Sequence, residues 1–509
     1  MKRQPLSIGS DWNEQLIRIY DQEIARKAKE FGLDTYPNQI EIISAEQMMD
    51  AYASKGMPIG YHHWSFGKHF LTVEKHYKRG QMNLAYELVI NSNPCISYLM
   101  EENTMAMQAM VIAHACYGHN SFFKNNYLFK MWTYADAIID YLVFARNYIS
   151  KCEERFGVDA VESTLDACHA LMNYGVDRYK HPAGLSIQEE KIRQQNREIY
   201  LQASVNELWR TIPQAKQITH KGESKRFPSE PQENILYFIE KNSPLLESWQ
   251  REIVRIVRKI AQYFYPQQQT KVMNEGWASF WHYTILHALY DEGLVTDEFM
   301  LEILQNHTNV ISQPAYDSKY FSGINPYTLG YLMMQDIKRI AENPTSEDQK
   351  CFPYLANKPW IASLDLAMRN FKDESFIAQY LSPHLIRELK LFQVIDDDKY
   401  YNLIVNAIHN EQGYQIIRES LSKQYNLGHL EPDIEVFAVN YTSDRALTLH
   451  YMQHNAIPLG QNTHEVLRHL YTLWKFPIIL QTVDQSGNVI AEYNYPPIST
   501  TKAQDNLKS

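Results

Sequence analysis

The sequence contains no run of about 18 apolar residues, so no segment reads as a membrane-spanning helix. Its start, Met1-Lys2-Arg3-Gln4-Pro5-Leu6, is basic but has no apolar stretch behind it, which argues against a secretory signal. Only five of the 509 residues are cysteines (Cys95, Cys116, Cys152, Cys168 and Cys351), and no C-x-x-C pair occurs. Scattered thiols in odd number do not form a disulfide framework; they fit a reducing, cytoplasmic setting. Basic patches are missing too: the net charge of −10 is dispersed, which speaks against nucleic acid as a partner. No Walker loop is present, and no G-x-G-x-x-G follows a strand. Without a G-x-S-x-G elbow there is no serine-hydrolase nucleophile of that type. Glu-x-x-His is also absent, with Asp166-x-x-His169 its lone relative, so a ferritin-like di-iron site is not expected.

Aromatic residues are plentiful, with 35 tyrosines and nine tryptophans, a load that suits bulky helix packing. The length predicts two or three domains. Apolar residues recur at helical spacing through most of the first 375 residues, and a short strand fits 86–90. We therefore expect a mainly α protein: a large helical body with a short strand near the site, plus a small C-terminal α+β domain. In segments, 1–183 is a helical N-terminal part, 184–232 a charged helix and polar linker, and 233–375 a second helical part. Residues 376–500 form the α+β domain, with helices at 411–424 and 463–474 between strands. Asn325-Pro326 reads as a helix start with proline in its first turn.

The chemistry-bearing residues lie in two stretches. His114-Ala115-Cys116-Tyr117-Gly118-His119 follows the apolar run Met105 to Ala113, in a helix expected from about Met100 to His119. Asn274-Glu275-Gly276-Trp277-Ala278 opens another helix, with His282 further along it. Two imidazoles and a carboxylate are the donors of a zinc-type site. In the zincin motif the histidines stand four apart on one helix face. Here they stand five apart, about 140° round a regular helix, so they meet one ion only if the helix bulges or ends at Gly118. Glu275 and His282 are seven apart, about 20° from eclipsed, and face the same way. Ala115 stands where a zincin carries its glutamate base; Glu101, Glu102 or His282 would have to replace it. His63 and Trp64, in an aromatic turn, and Trp277 are candidates for contact with substrate. His307 either caps a loop or joins the ligands. His464-Glu465-Val466-Leu467-Arg468-His469 imitates a stretched zincin motif, but on an exposed-looking, charged helix that we do not assign to metal.

Several segments together resemble one family. They are Tyr-His-His-Trp-Ser-Phe-Gly-Lys (61–68), Asn-Ser-Asn-Pro (91–94), Ala-His-Ala-Cys-Tyr-Gly-His-Asn-Ser-Phe-Phe-Lys-Asn-Asn (113–126), Asn-Glu-Gly-Trp-Ala (274–278) and Asn-Pro-Tyr-x-Leu-Gly (325–330). This set is similar to the stage V sporulation protein R (SpoVR) family, in particular its long enterobacterial members. The resemblance covers nearly the whole chain. It implies a link to spore-cortex or stress physiology. Gene context in the family points to a serine protein kinase and a von Willebrand factor A-like protein as partners. Glu-Gly-Trp-Ala also resembles the glutamate-bearing helix of gluzincin-like peptidases.

Two readings follow. In the first, the chain is a cytoplasmic metal-dependent hydrolase of peptidase or amidase type, with a divalent metal, zinc foremost, on His114, His119 and Glu275. His282 is then a fourth ligand or a catalytic proton shuttle. In the second, the protein is a non-catalytic regulator in a kinase-linked pathway and the histidines are structural.

Overall fold

In the computed structural model, residues 4–53, 60–64, 87–178, 226–395, 404–426, 431–453 and 459–497 are described. Most of the expected charged helix and linker at 184–232 lies outside them, as do residues 65–68 of the aromatic turn. The chain is mainly α and forms two compact units, each assembled from two separated stretches. The first joins residues 1–165 to 259–431; the second joins 166–258 to 432–509. Among the described residues, no helix is long and apolar enough to cross a membrane.

The first unit carries a three-stranded sheet against a helical core. Strands β1 (Asn38–Ile43), β2 (Glu87–Ile90) and β3 (Cys95–Met100) lie in the order β1-β3-β2, with β1 parallel and β2 antiparallel to the central strand. The short strand expected near the histidines is β2. Its neighbour β3 occupies residues at the edge of the expected histidine helix, which starts later, as α1 (Met105–Val111). Thr104 fixes that start: its hydroxyl accepts the Met107 amide hydrogen at 3.2 Å, a standard N-cap. Every residue of α1 is buried, as an all-round apolar sequence requires. Its one polar member, Gln108, donates its amide hydrogen to the Met100 carbonyl at 2.8 Å.

The helix then changes pitch. Residues Ile112–His119 form a π-helix, all eight of them buried, before α2 (Asn120–Asn125) resumes the ordinary turn. Against it packs α3 (Lys271–Asp291), which also packs on α5 (Pro326–Glu342); α4 (Asp297–Val310) lies between these two in the chain. Helix α5 starts where the sequence placed it, with the Asn325 side chain accepting the Tyr327 amide hydrogen and Pro326 in the first turn.

Close approach between these helices depends on small residues. A Cβ on Gly118 would sit 2.6 Å from the Cα of Ala278 in α3, and one on Gly276 would sit 2.3 Å from the carbonyl carbon of Gly330 in α5. Gly118 and Gly276 are thus what lets the π-helix and α5 touch α3 backbone to backbone. Helix α3 gets no side-chain cap from Thr270. Instead Asp373, at the start of α6 (Asp373–Tyr380), accepts the amide hydrogens of Val272 and Met273, each at 2.8 Å.

The second unit holds the small α+β fold. Strands β4 (Ile434–Val439), β5 (Leu447–Met452), β6 (Ile478–Val483) and β7 (Val489–Tyr495) form one sheet in that order. The β5–β6 pair is parallel, bridged by α7 (Thr463–Trp474), and the outer pairs are antiparallel. Along β5, buried and partly exposed residues alternate, the pattern of a strand with one face on a core.

Candidate metal centre

The π-helix decides the histidine geometry. Its hydrogen bonds run to the fifth residue rather than the fourth, so residues five apart stand above one another on one face. His114 and His119, about one turn of this segment apart, come together with ring centroids 4.6 Å apart and planes at 84°. The sequence spacing needed such a bulge, and Gly118 lies within it rather than ending the helix.

Two carboxylates meet the histidines. His114 Nε2 lies 3.1 Å from Glu87 Oε1 and 3.8 Å from Glu275 Oε2; His119 Nε2 lies 3.8 Å from the first and 3.5 Å from the second. Ligands about 2.0–2.2 Å from a tetrahedral ion stand about 3.3–3.6 Å apart, so these separations bracket the edges of such a cage. Glu275 Oε2 is sealed from solvent and makes no hydrogen bond among the described residues, an orphaned acceptor facing both imidazoles. Glu87, His114 and His119 alone offer three donor atoms within 4.8 Å of one another. The donor set, two imidazoles and two carboxylates, suits zinc or a similar divalent ion.

Outer contacts fix the rings. His119 Nδ1 lies 2.9 Å from Asn274 Oδ1. An amide oxygen only accepts, so Nδ1 carries the proton and Nε2 is turned to the carboxylates. His114 Nδ1 lies 2.8 Å from His282 Nδ1, and His282 Nε2 lies 2.8 Å from His307 Nδ1.

The electrostatics are those of acids and imidazoles forced to share charge. Burial raises the Glu275 carboxyl, but the adjacent His114 and His119 outweigh it and hold the group well below its usual range. Glu87 goes the other way: burial raises it, only partly offset by the two histidines, and Glu275 adds to the rise. Burial lowers His119, yet Glu275, Glu87 and Asn274 together bring it up to about 9. Burial and the neighbouring imidazoles push His282 far down, and His307 down to about 4, so both rings are neutral.

The residues singled out in the sequence are distributed as follows. His114, His119 and Glu275 face one point. His282 stands directly behind His114 with both ring nitrogens engaged by other histidines, and His307 stands behind His282. Trp277 is buried and turned to α2, donating its Nε1 hydrogen to Ser121 Oγ at 2.9 Å. His63 is buried and Trp64 half-exposed, their rings 5.5 Å apart. Glu102 accepts the Ala45 amide hydrogen at 3.1 Å, at the start of the helix Ala45–Ala53. Glu87 and Asn274 were not assigned roles from sequence. The signal for Glu87 was a lone charge opening the apolar strand Glu-Leu-Val-Ile, and that for Asn274 its place directly before Glu275.

A mainly α body with a buried two-histidine, two-carboxylate cluster on a π-helix, a strand and a second helix is thus the class of protein that fold and site define. The family model described as "SpoVR like protein" matches residues 11–430, and "SpoVR-like C-terminal domain" matches 432–485. The chain belongs to the SpoVR family. It is 61% identical over 492 residues to "Uncharacterized protein YcgB" of Escherichia coli (strain K12), covering 97% of this chain and 96% of that one. No solved structure matches. The division between the two family models falls where the second unit resumes, at residue 432.

Proposed function

We propose that this SpoVR-family protein holds one divalent ion, zinc foremost, between Glu87, His114, His119 and Glu275, and that it is a metal-dependent hydrolase of the peptidase or amidase class. The observation that carries the reading is the four histidine–carboxylate separations of 3.1–3.8 Å between donors on three separate elements. A divalent ion would supply Lewis acidity toward a carbonyl group and a lowered pKa for water. The protein's own residues do the rest. Asn274 orients His119, and His282 abuts His114. Glu87, the carboxylate nearest His114 Nε2, is one of the four donors. Support for a peptide-like substrate comes from β2, which carries Glu87 and is an edge strand among the described residues. Extended chains bind along such edges through backbone hydrogen bonds.

The first test is metal content. Protein purified with zinc should hold one equivalent, and Glu275→Gln should weaken retention at least about 100-fold, more than loss of an outer-shell partner does. Metal retained by Glu275→Gln, or none bound under any divalent supplement, would defeat the ligand assignment. Metal-loaded protein that leaves peptide and amide mixtures uncut, with and without chelator, would remove the hydrolytic part alone.

A further inference from the structure

We propose that His282 and His307 are positioning residues of the metal centre: a hydrogen-bonded chain of two rings that holds His114 in its Nδ1–H tautomer and presents Nε2 to the ion. The inference rests on the metal reading above. It comes from the three buried rings, which are 6%, 1% and 3% exposed in the order His114, His282, His307. Both links, His114 Nδ1 to His282 Nδ1 and His282 Nε2 to His307 Nδ1, are 2.8 Å.

A neutral imidazole has one donor and one acceptor nitrogen. The direction of one link therefore dictates the other. If His114 donates from Nδ1, His282 accepts at Nδ1, donates from Nε2 to His307 Nδ1, and His307 carries its hydrogen on Nε2. Run the other way, the chain starts with a hydrogen on His307 Nδ1 and ends with one on His114 Nε2, where it blocks ligation. Metal binding by His114 and the direction of the chain are the same choice.

The far end of the chain is enclosed by aromatic rings. His307 Nε2 is buried and has no hydrogen-bond partner among the described residues. Around His307 stand the rings of Tyr283, at 4.9 Å, and Tyr331, at 4.7 Å and 73°. An N–H finds a weak acceptor in an aromatic face, whereas a bare nitrogen lone pair is repelled by it. A hydrogen on His307 Nε2, within this aromatic surround, belongs to the chain direction that frees His114 Nε2. His119 has the simpler device, a single amide oxygen from Asn274.

Titration of the full-length apo protein with zinc and cobalt(II) tests this, with the cobalt absorption band as a second readout. His307→Asn keeps an acceptor where Nδ1 stood; His307→Phe keeps the ring packing but has no acceptor; His307→Gln sets the amide one carbon too far. We expect His307→Asn within about threefold of wild type, and His307→Phe and His307→Gln weakened about 10–100-fold with an altered cobalt spectrum. A residue that only packs would give the reverse order, with the phenylalanine nearest to wild type; that order, or equal losses in Asn and Gln, overturns the inference and leaves the metal reading intact. If the phenylalanine protein does not fold, Asn against Gln decides alone. Wild-type protein that binds neither ion overturns the metal reading, and this inference with it.

Discussion

Three pairs of histidines in this protein stand five residues apart, and two of them lie on helices of different pitch. His114 and His119 lie in the first unit; His464 and His469 lie in the second, on α7. The second pair even has a glutamate next to its first histidine, as a zincin motif does. Yet α7 is a regular helix, on which five residues turn the chain about 140°. Leu467, Leu470, Leu473 and Trp474 point into the core, which leaves His464 exposed, edge-on to Tyr495 at 5.9 Å. Glu465 is engaged by Arg468 at 2.8 Å. In the first unit the same spacing meets a π-helix, and the rings converge. The contrast shows that a motif's spacing has no meaning until the pitch of its helix is known. The two helices also differ in packing: the π-helix is buried throughout and lies with Gly118 against Ala278, whereas α7 has solvent on one side.

The largest way to break the contrast is to push the supporting helices apart. A Cβ at Gly276 would meet the Gly330 backbone, which has no side chain to swing away. Gly276→Ala should cost about 3 kcal/mol, the upper range for overpacking, in urea unfolding, and metal retention should fall with it. Unchanged stability would show that α3 and α5 can slide. Next is Gly118→Ala, whose Cβ would press on Ala278 at 2.6–2.8 Å. A loss of about 1–3 kcal/mol is expected, together with weaker zinc binding, because the displaced π-helix carries both histidines. Stability lost with zinc affinity kept would separate the packing of this helix from its role in the site.

A smaller effect is expected at Asp373, which caps α3. Burial raises its carboxyl to about 7 despite the two amide hydrogens it accepts, with Glu275 adding to the rise and Lys271 opposing it. Its folded pKa lies above the unfolded one, so the folded state binds the proton more tightly. The stabilisation is complete below 3.8 and is lost as pH rises through about 7. Wild type should therefore lose stability relative to Asp373→Asn across that window, measured by unfolding at several pH values; a pH-independent difference would count against a protonated cap. The smallest effect belongs to the other histidine pair. His464→Ala, at an exposed site, should change stability within about 0.5 kcal/mol and leave zinc binding untouched. A loss of metal there would undo the contrast.

Much of this was readable in the residues. Helices 411–424 and 463–474 follow from their apolar spacing, and their observed ends are Glu411–Gln424 and Thr463–Trp474. Asn325-Pro326 marked its helix start because cap and proline act locally. Strand β3 was harder. It is buried on both faces and runs toward the apolar α1 with only a short turn between, so period alone does not separate strand from helix. The linking of residues 1–165 to 259–431 in one unit is also beyond local pattern, since it depends on contacts between distant segments.

By itself, the sequence determined the family, the mainly helical character and three of the four side chains that meet in the buried cluster, because motifs, apolar period and side-chain chemistry are carried by short segments of the chain. The tertiary structure alone decided the rest. It set the π-pitch that brings residues five apart onto one face and delivered Glu87 from a strand to the imidazoles. It also placed His282 and His307 behind His114 rather than beside it. Those outcomes depend on how buried backbones approach one another through Gly118, Ala278, Gly276 and Gly330. That is a property of the packed core and not of any one segment.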